Sequence, residues 1–170
     1  MKYRILGSTG LKVSVVGVGT WQFGGEWGQA FDQSMTDSVL AKAKELGINL
    51  IDTAECYGDH HSETLIGQFL RGQRSQWIVA TKFGHKYHSS FNRSERWSAA
   101  EVVSTLEDSL RALQTNYVDL LQFHSGKDEV FDNPEFAGRN AIAREIETVV
   151  EALTAQHFSR QEFFRPLDRF

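Results

Sequence analysis

The sequence holds a single cysteine, Cys56, and two prolines among its 170 residues. One cysteine excludes an intrachain disulfide, and a reducing, cytoplasmic setting is the simpler expectation for such a chain. No apolar run approaches the roughly 20 residues that a helix needs to cross a bilayer, so no membrane segment is expected. The opening residues, Met1 to Gly10, mix Lys2 and Arg4 with turn formers and carry no apolar core of the secretory kind. An excess of one charge is also missing. The 18 Lys and Arg residues stand against 22 Asp and Glu, a net charge of −4, which gives no general pull toward nucleic acid or an anionic membrane. What remains is ordinary globular material, 41% hydrophobic and 24% charged, with 14 glycines marking tight connections.

The first segment reads as a hairpin, Tyr3 to Leu6 and Lys12 to Val15 around the turn formers Gly7-Ser8-Thr9-Gly10. Val16 to Trp21 is a short apolar strand that runs into a loop with Gly24, Gly25, Trp27, Gly28 and Phe31. A helix is expected from about Met35 to Leu46, with Met35, Val39, Ala43 and Leu46 at helical spacing and Gly47 as its stop. The strand–helix pattern then repeats. Asn49 to Ile51 is a strand, and Ser62 caps a helix through Leu70 with Leu65, Ile66, Phe69 and Leu70 on one face. Trp77 to Thr81 is a strand, and Ser98 caps a helix through Leu113, with Glu101 completing a capping box. Val118 to Phe123 is the next strand.

Repeated strand–helix units imply parallel strands joined by right-handed crossovers. About four such units are half of a (β/α)8 barrel, whose full form takes roughly 250 residues. The expected fold is therefore an α/β half of a TIM barrel over residues 1–134, with an N-terminal β-hairpin, followed by an atypical helical tail over 135–170. In that tail Arg139 to Gln156 reads as an amphipathic helix with Ile142, Ile146, Val149 and Leu153 in one stripe.

Catalytic side chains of a parallel barrel lie at the C-terminal ends of its strands. Those ends are Gly19-Thr20-Trp21, then Asp52 with Tyr57 just beyond, then Lys82, then His124. An acid, a phenol, an ammonium and an imidazole at one mouth suit proton transfer. A phenol near its usual pKa of about 10 is a poor proton carrier at neutral pH, and a nearby Lys82 ammonium is expected to lower that value while Asp52 holds the ammonium. His124 would orient a carbonyl or relay a proton. Taken singly, each residue has a plain alternative. Asp52 caps a turn before Thr53, Lys82 is a solvated charge, Tyr57 is an amphipathic surface residue, and His124 is a structural hydrogen-bonder. Their joint placement at successive strand ends favours the functional alternative.

The run from Ile51 to Gly58, Asp52-Thr53-Ala54-Glu55-Cys56-Tyr57 at its centre, followed by Ser62-Glu63-Thr64-Leu65-Ile66-Gly67, resembles the aldo-keto reductase motif around the second barrel strand. Ala80-Thr81-Lys82 resembles the lysine strand of that family, and Asp119 to His124 its histidine strand. Arg4 to Gly7 and Gly10 to Ser14 resemble its N-terminal hairpin. The resemblance covers roughly residues 1–134. It implies reduction of a small-molecule carbonyl with NADPH, Tyr57 as general acid, Lys82 and Asp52 as its tuning partners, and His124 as the substrate-orienting residue. Gly19, Thr20 and Asp52 lie where the family approaches the nicotinamide, and Trp21 and Trp27 are substrate-pocket candidates, with core or loop packing as their alternative. In the family most cofactor contacts come from the second half of the barrel, and the residues from about Glu135 do not resemble that continuation. A truncated half with little activity is therefore expected, the alternative being a non-catalytic half-barrel scaffold or oligomeric assembly.

Three further groups carry weaker signals. His60, His61, His85 and His88 sit on no recognisable ligand scaffold, so no metal is expected. Cys56 reads as a small residue packed beside the site rather than a nucleophile. Arg160, Arg165 and Arg169 read as a solvated terminal face. A half-barrel sheet has two open edges, and its inward face, assigned to Val18, Ile51, Val79 and Leu121, would lie uncovered. A homo-oligomer follows as the expected state.

Overall fold

The computed structural model describes residues 1–125. The helix expected at Arg139 to Gln156, the boundary at Pro134 and the three terminal arginines lie outside the described residues. Strands β1 (Tyr3–Ile5) and β2 (Lys12–Ser14) pair antiparallel with Tyr3 opposite Ser14. The turn between them places Gly7 and Gly10 at positive φ, where glycine carries no Cβ penalty. Asn49 fastens this hairpin to the sheet. Its Oδ1 accepts from the Ser14 N–H at 2.8 Å and its Nδ2 donates to the Lys12 carbonyl at 2.9 Å.

The sheet itself is parallel, as expected. Its strands are β3 (Val18–Gly19), β4 (Leu50–Asp52), β5 (Ile78–Phe83) and β8 (Leu120–Phe123), adjacent in that order. The first strand shrinks to two residues, because the chain turns at Trp21–Gly24 into a 3-10 helix. Helices α1 (Gln33–Glu45), α2 (His61–Leu70) and α3 (Ala99–Leu113) cover one face. Between β5 and α3 lies a hairpin that the sequence reading lacks, β6 (His85–Ser89) with β7 (Asn92–Glu95).

The four residues assigned to the open inner face point the other way. Ile51 and Val79 are fully buried in the main core with Leu40, Leu65, Ile66 and Leu113, and Val18 packs against the same cluster. Leu121 pairs with Thr81, which has the parity of Val79. All four lie on the helix-facing side, so the expectation of a wet apolar face there is corrected. A shift of one residue exchanges the two faces of a strand. The true inner face runs from Leu50 and Ile78, which meet Leu11 and Val13 of the hairpin at the floor, through Ala80 to Asp52 and Lys82 at the mouth.

Two helix details also differ. On α1 the buried stripe is Thr36, Leu40 and Ala43, while Val39 and Leu46 are exposed. On α2 the residue before the helix is His60, in a left-handed conformation and without a side-chain cap; Ser62 lies inside the first turn and its hydroxyl serves another purpose. The α3 prediction holds closely. The Ser98 hydroxyl accepts from the Glu101 N–H at 3.3 Å, and the Glu101 carboxylate accepts from the Ser98 N–H at 3.1 Å.

Candidate active site

The quartet read from the strand ends converges. Parallel register sets Gly19 beside Asp52, Asp52 beside Ala80, and Lys82 beside Gln122, so the polar ends of β3, β4, β5 and β8 share one rim. The Lys82 ammonium donates to Asp52 Oδ2 at 2.9 Å and to the Thr53 carbonyl at 2.7 Å. Its third direction meets the Tyr57 hydroxyl at 3.4 Å. The His124 ring stands edge-on to the Tyr57 ring, centroids 5.7 Å apart.

The electrostatics differ from the expectation at one point. Burial is the largest influence on Tyr57 and raises its pKa; the Lys82 charge and hydrogen bond pull it down by less, so the phenol ends above its ordinary value. Tyr57 therefore keeps its proton at neutral pH, and Lys82 limits the cost of releasing it.

The loop that carries Tyr57 is held from several sides. Gly58, Asp59 and His60 all have positive φ. A Cβ on Gly58 would stand 2.3 Å from the Gly24 carbonyl oxygen, so glycine is required for these two loops to touch. Beneath, the Ser62 hydroxyl bonds Thr20 Oγ1 and Thr53 Oγ1, each at 3.0 Å, and Thr20 Oγ1 donates to the Asp52 carbonyl at 3.0 Å. Glu63, fully buried on α2, accepts from Thr81 Oγ1 and meets His60 Nδ1, both at 2.5 Å. Thr20 is thus fully buried and committed to holding Asp52, and its side chain is not presented to a ligand. Gly19 is different: it is exposed, and a Cβ there would meet nothing within 4 Å.

Trp21 stacks along Tyr57 at 6.1 Å and meets Trp27 edge-on at 4.9 Å. Phe91, at the tip of the β6–β7 hairpin, closes the group at 6.3 Å from both tryptophans. Trp27 and Phe91 are exposed. One buried carboxylate organises this wall. Glu26 accepts from Trp21 Nε1 at 2.6 Å and from the Phe91 N–H at 3.3 Å, and pairs with Arg93. Phe91 and Arg93 lie in a hairpin with no apolar alternation, so they and their partner Glu26 were missed from sequence.

Glu55 was missed as well. It is buried, and its carboxylate lies against His124 Nδ1 at 3.3 Å. Glu55, Cys56 and His124 place one potential ligand atom each within 4.8 Å of one another. This is a different group from the four histidines weighed as a metal site. Of those, His60 pairs with Glu63 and His88 Nε2 meets Ser94 Oγ at 2.8 Å. Burial, then the Glu55 charge, pushes the Cys56 thiol up to about 12, which disfavours a nucleophilic thiolate.

A parallel strand–helix sheet with a lysine, a tyrosine, an aspartate and a histidine on its C-terminal rim is the architecture of barrel enzymes that work at strand ends. The chain belongs to the aldo/keto reductase family, whose model matches residues 15–157. It is 39% identical over 129 residues to the aldo-keto reductase YhdN of Bacillus subtilis, covering 73% of this chain and 38% of that protein. It is 39% identical over 127 residues to an L-galactose dehydrogenase of Arabidopsis thaliana, covering 73% and 38%. Among solved structures, the holo form of the aldo-keto reductase AKR11C1 from Bacillus halodurans superposes with a TM-score of 0.70 at 33% identity, over 92% of this chain and 47% of that one. An aldo/keto reductase from Klebsiella pneumoniae in complex with NADP and acetate gives a TM-score of 0.58 at 26% identity, over 83% and 43%. The chain thus spans about four-tenths of the length of these curated relatives and corresponds to roughly half of the barrels it superposes on. No described helix is long and apolar enough to cross a membrane.

Proposed function

We propose that these residues form the proton-transfer side of an NADPH-dependent carbonyl reductase. The observation that carries this reading is the Asp52–Lys82–Tyr57 chain, 2.9 Å and then 3.4 Å, at the rim of a parallel sheet. The rim fits the nicotinamide end of the cofactor, because Gly19 leaves open space beside Asp52. Bound NADPH supplies the hydride. Tyr57 donates its hydroxyl proton to the carbonyl oxygen, Lys82 stabilises the phenolate left behind, and Asp52 holds Lys82. His124 orients the carbonyl. Trp21 and Trp27 face a small carbonyl substrate, and Thr20 acts by supporting Asp52. A cytoplasmic setting fits the single free cysteine.

The 170-residue chain by itself is expected to turn over negligibly, because the family places most cofactor contacts on strands beyond the four described. A titration following nicotinamide fluorescence, then NADPH oxidation across an aldehyde panel, tests this. Fluorescence enhancement with little turnover is the expected result. Robust turnover abolished by Tyr57→Phe would keep the chemistry and overturn the expected inactivity. No binding would favour the second reading, a scaffold that assembles with copies of itself. The edge strands β3 and β8 of the described sheet and the exposed Tyr3, Ile5, Val15 and Val16 favour that reading, and sedimentation equilibrium tests it. A dimer supports assembly and a strict monomer opposes it.

A further inference from the structure

We propose that Glu55 is a positioning residue that fixes the tautomer and orientation of His124. The inference rests on the reading above for the relevance of His124 to a carbonyl, but the contact that carries it is independent of any cofactor.

Glu55 lies on the loop between β4 and Tyr57 and is only 3% exposed. Its two oxygens have separate partners. Oε1 accepts the backbone N–H of His85 at 3.0 Å, and Oε2 stands 3.3 Å from His124 Nδ1. The same carboxylate therefore ties the first residue of β6 to the residue that follows the end of β8. A carboxylate offers acceptors only. A neutral imidazole carries one N–H, placed by the partner of its ring nitrogens. Nδ1 therefore carries the proton. Nε2, which has no protein hydrogen-bond partner among the described residues, is left for a ligand beside Tyr57. There it accepts when the ring is neutral and donates when the ring is protonated.

A competing contact demands the opposite tautomer. Cys56 Sγ lies 3.4 Å from the same Nδ1. Burial keeps the sulfur as a thiol, and an S–H donating to Nδ1 would move the ring proton to Nε2. The thiol is a weak donor, whereas an N–H directed at a carboxylate is a charge-assisted bond. Glu55 therefore prevails. The backbone supports the same pose: the His124 N–H donates to the Phe83 carbonyl at 2.9 Å, and the His85 ring packs 4.7 Å from the His124 ring.

Long-range 1H–15N spectra of the neutral His124 ring decide the matter, with His124→Gln to assign its signals. The full chain should show the Nδ1–H form in excess by roughly tenfold or more. In Glu55→Gln the amide carbonyl stays with the His85 N–H and the amide nitrogen donates to Nδ1, so the tautomer inverts. Cys56→Ala should leave the wild-type form in place. An Nε2–H ring in the wild type, an unchanged ring in folded Glu55→Gln, or an inversion in Cys56→Ala each overturns the proposal. If Glu55→Gln does not fold, the wild-type and Cys56→Ala spectra decide alone. A failed NADPH titration would remove the carbonyl-reductase reading without moving the tautomer, so the two failures are distinguishable.

Discussion

The two ends of the sheet are built from different materials. At the floor, Leu50 and Ile78 meet Leu11 and Val13 of the hairpin in a small apolar cluster, while Tyr3, Ile5, Val15 and Val16 stay exposed. At the mouth, Thr20, Glu26, Thr53, Glu55, Ser62, Glu63 and Thr81 are buried. Buried polar groups are costly unless partnered, and each of these has a partner: Thr20, Ser62 and Thr53 bond one another beneath Asp52 and Lys82, Glu63 holds Thr81 and His60, Glu55 holds His85 and His124, and Glu26 holds Trp21 and Arg93. The floor combines its small apolar cluster with the Asn49 bonds to Ser14 and Lys12, and buries few polar side chains. The mouth is held largely by directional hydrogen bonds between buried polar side chains. The difference places the directional bonds where the proposed proton transfer would use them.

Glycine substitutions should expose this contrast most strongly. Gly58→Ala at the mouth combines φ +66 with a Cβ 2.3 Å from the Gly24 carbonyl, and should cost about 3 kcal/mol or more. Gly7→Ala in the floor hairpin has φ +50 and open space, and should cost only about 1 kcal/mol. Urea unfolding of both variants checks the ordering, and equal losses would erase the distinction.

Side-chain removal repeats the test at smaller scale. Glu63→Ala leaves the buried Thr81 hydroxyl and His60 without their acceptor and should cost about 2–3 kcal/mol. Ile5→Ser on the floor should change stability by no more than about 0.5 kcal/mol.

The mouth should also respond to pH. Burial, the largest influence on His60, lowers its pKa, but the Glu63 hydrogen bond and charge, with Asp108 and Asp59, together carry it above the ordinary value. Folded His60 thus binds its proton more tightly than unfolded His60. Its contribution is complete below the unfolded value near ~6.5 and is lost as pH rises through the folded value. Unfolding midpoints should fall across that window. They should flatten in His60→Asn, since asparagine tolerates the left-handed backbone at φ 65. At the exposed capping box of α3, away from both ends of the comparison, Ser98→Ala should cost about 1 kcal/mol.

Much of this was legible in the sequence, and the illegible parts have specific causes. The hairpin, the four parallel strands and the Ser98–Glu101 box follow from turn residues, strand–helix alternation and cap spacing. The strand-end quartet follows from topology and is supported by the family resemblance. Strand phase was not legible: Ile78 to Thr81 is a continuous buried run, without the alternation that marks one wet face, so Ile51 and Val79 were assigned to the wrong side. The β6–β7 hairpin, His-Lys-Tyr-His-Ser and Asn-Arg-Ser-Glu, has no apolar period to detect. Ser62 resembles a cap by spacing, yet its hydroxyl is drawn to Thr20 and Thr53. Glu55 carries no local signal, because its partners lie at the start of β6 and just past the end of β8.

The most direct measurement is the titration of Tyr57, followed by 13C NMR of its ring, in the full chain and in Lys82→Met. Wild-type Tyr57 should titrate above an ordinary tyrosine, because burial outweighs the lysine. In Lys82→Met it should titrate higher still, because the lysine's charge and hydrogen bond that lower it are gone while burial and Asp52 remain. A Tyr57 titration unchanged by Lys82→Met would show that the ammonium does not act on the phenol, and would contradict the proton-transfer role of this site.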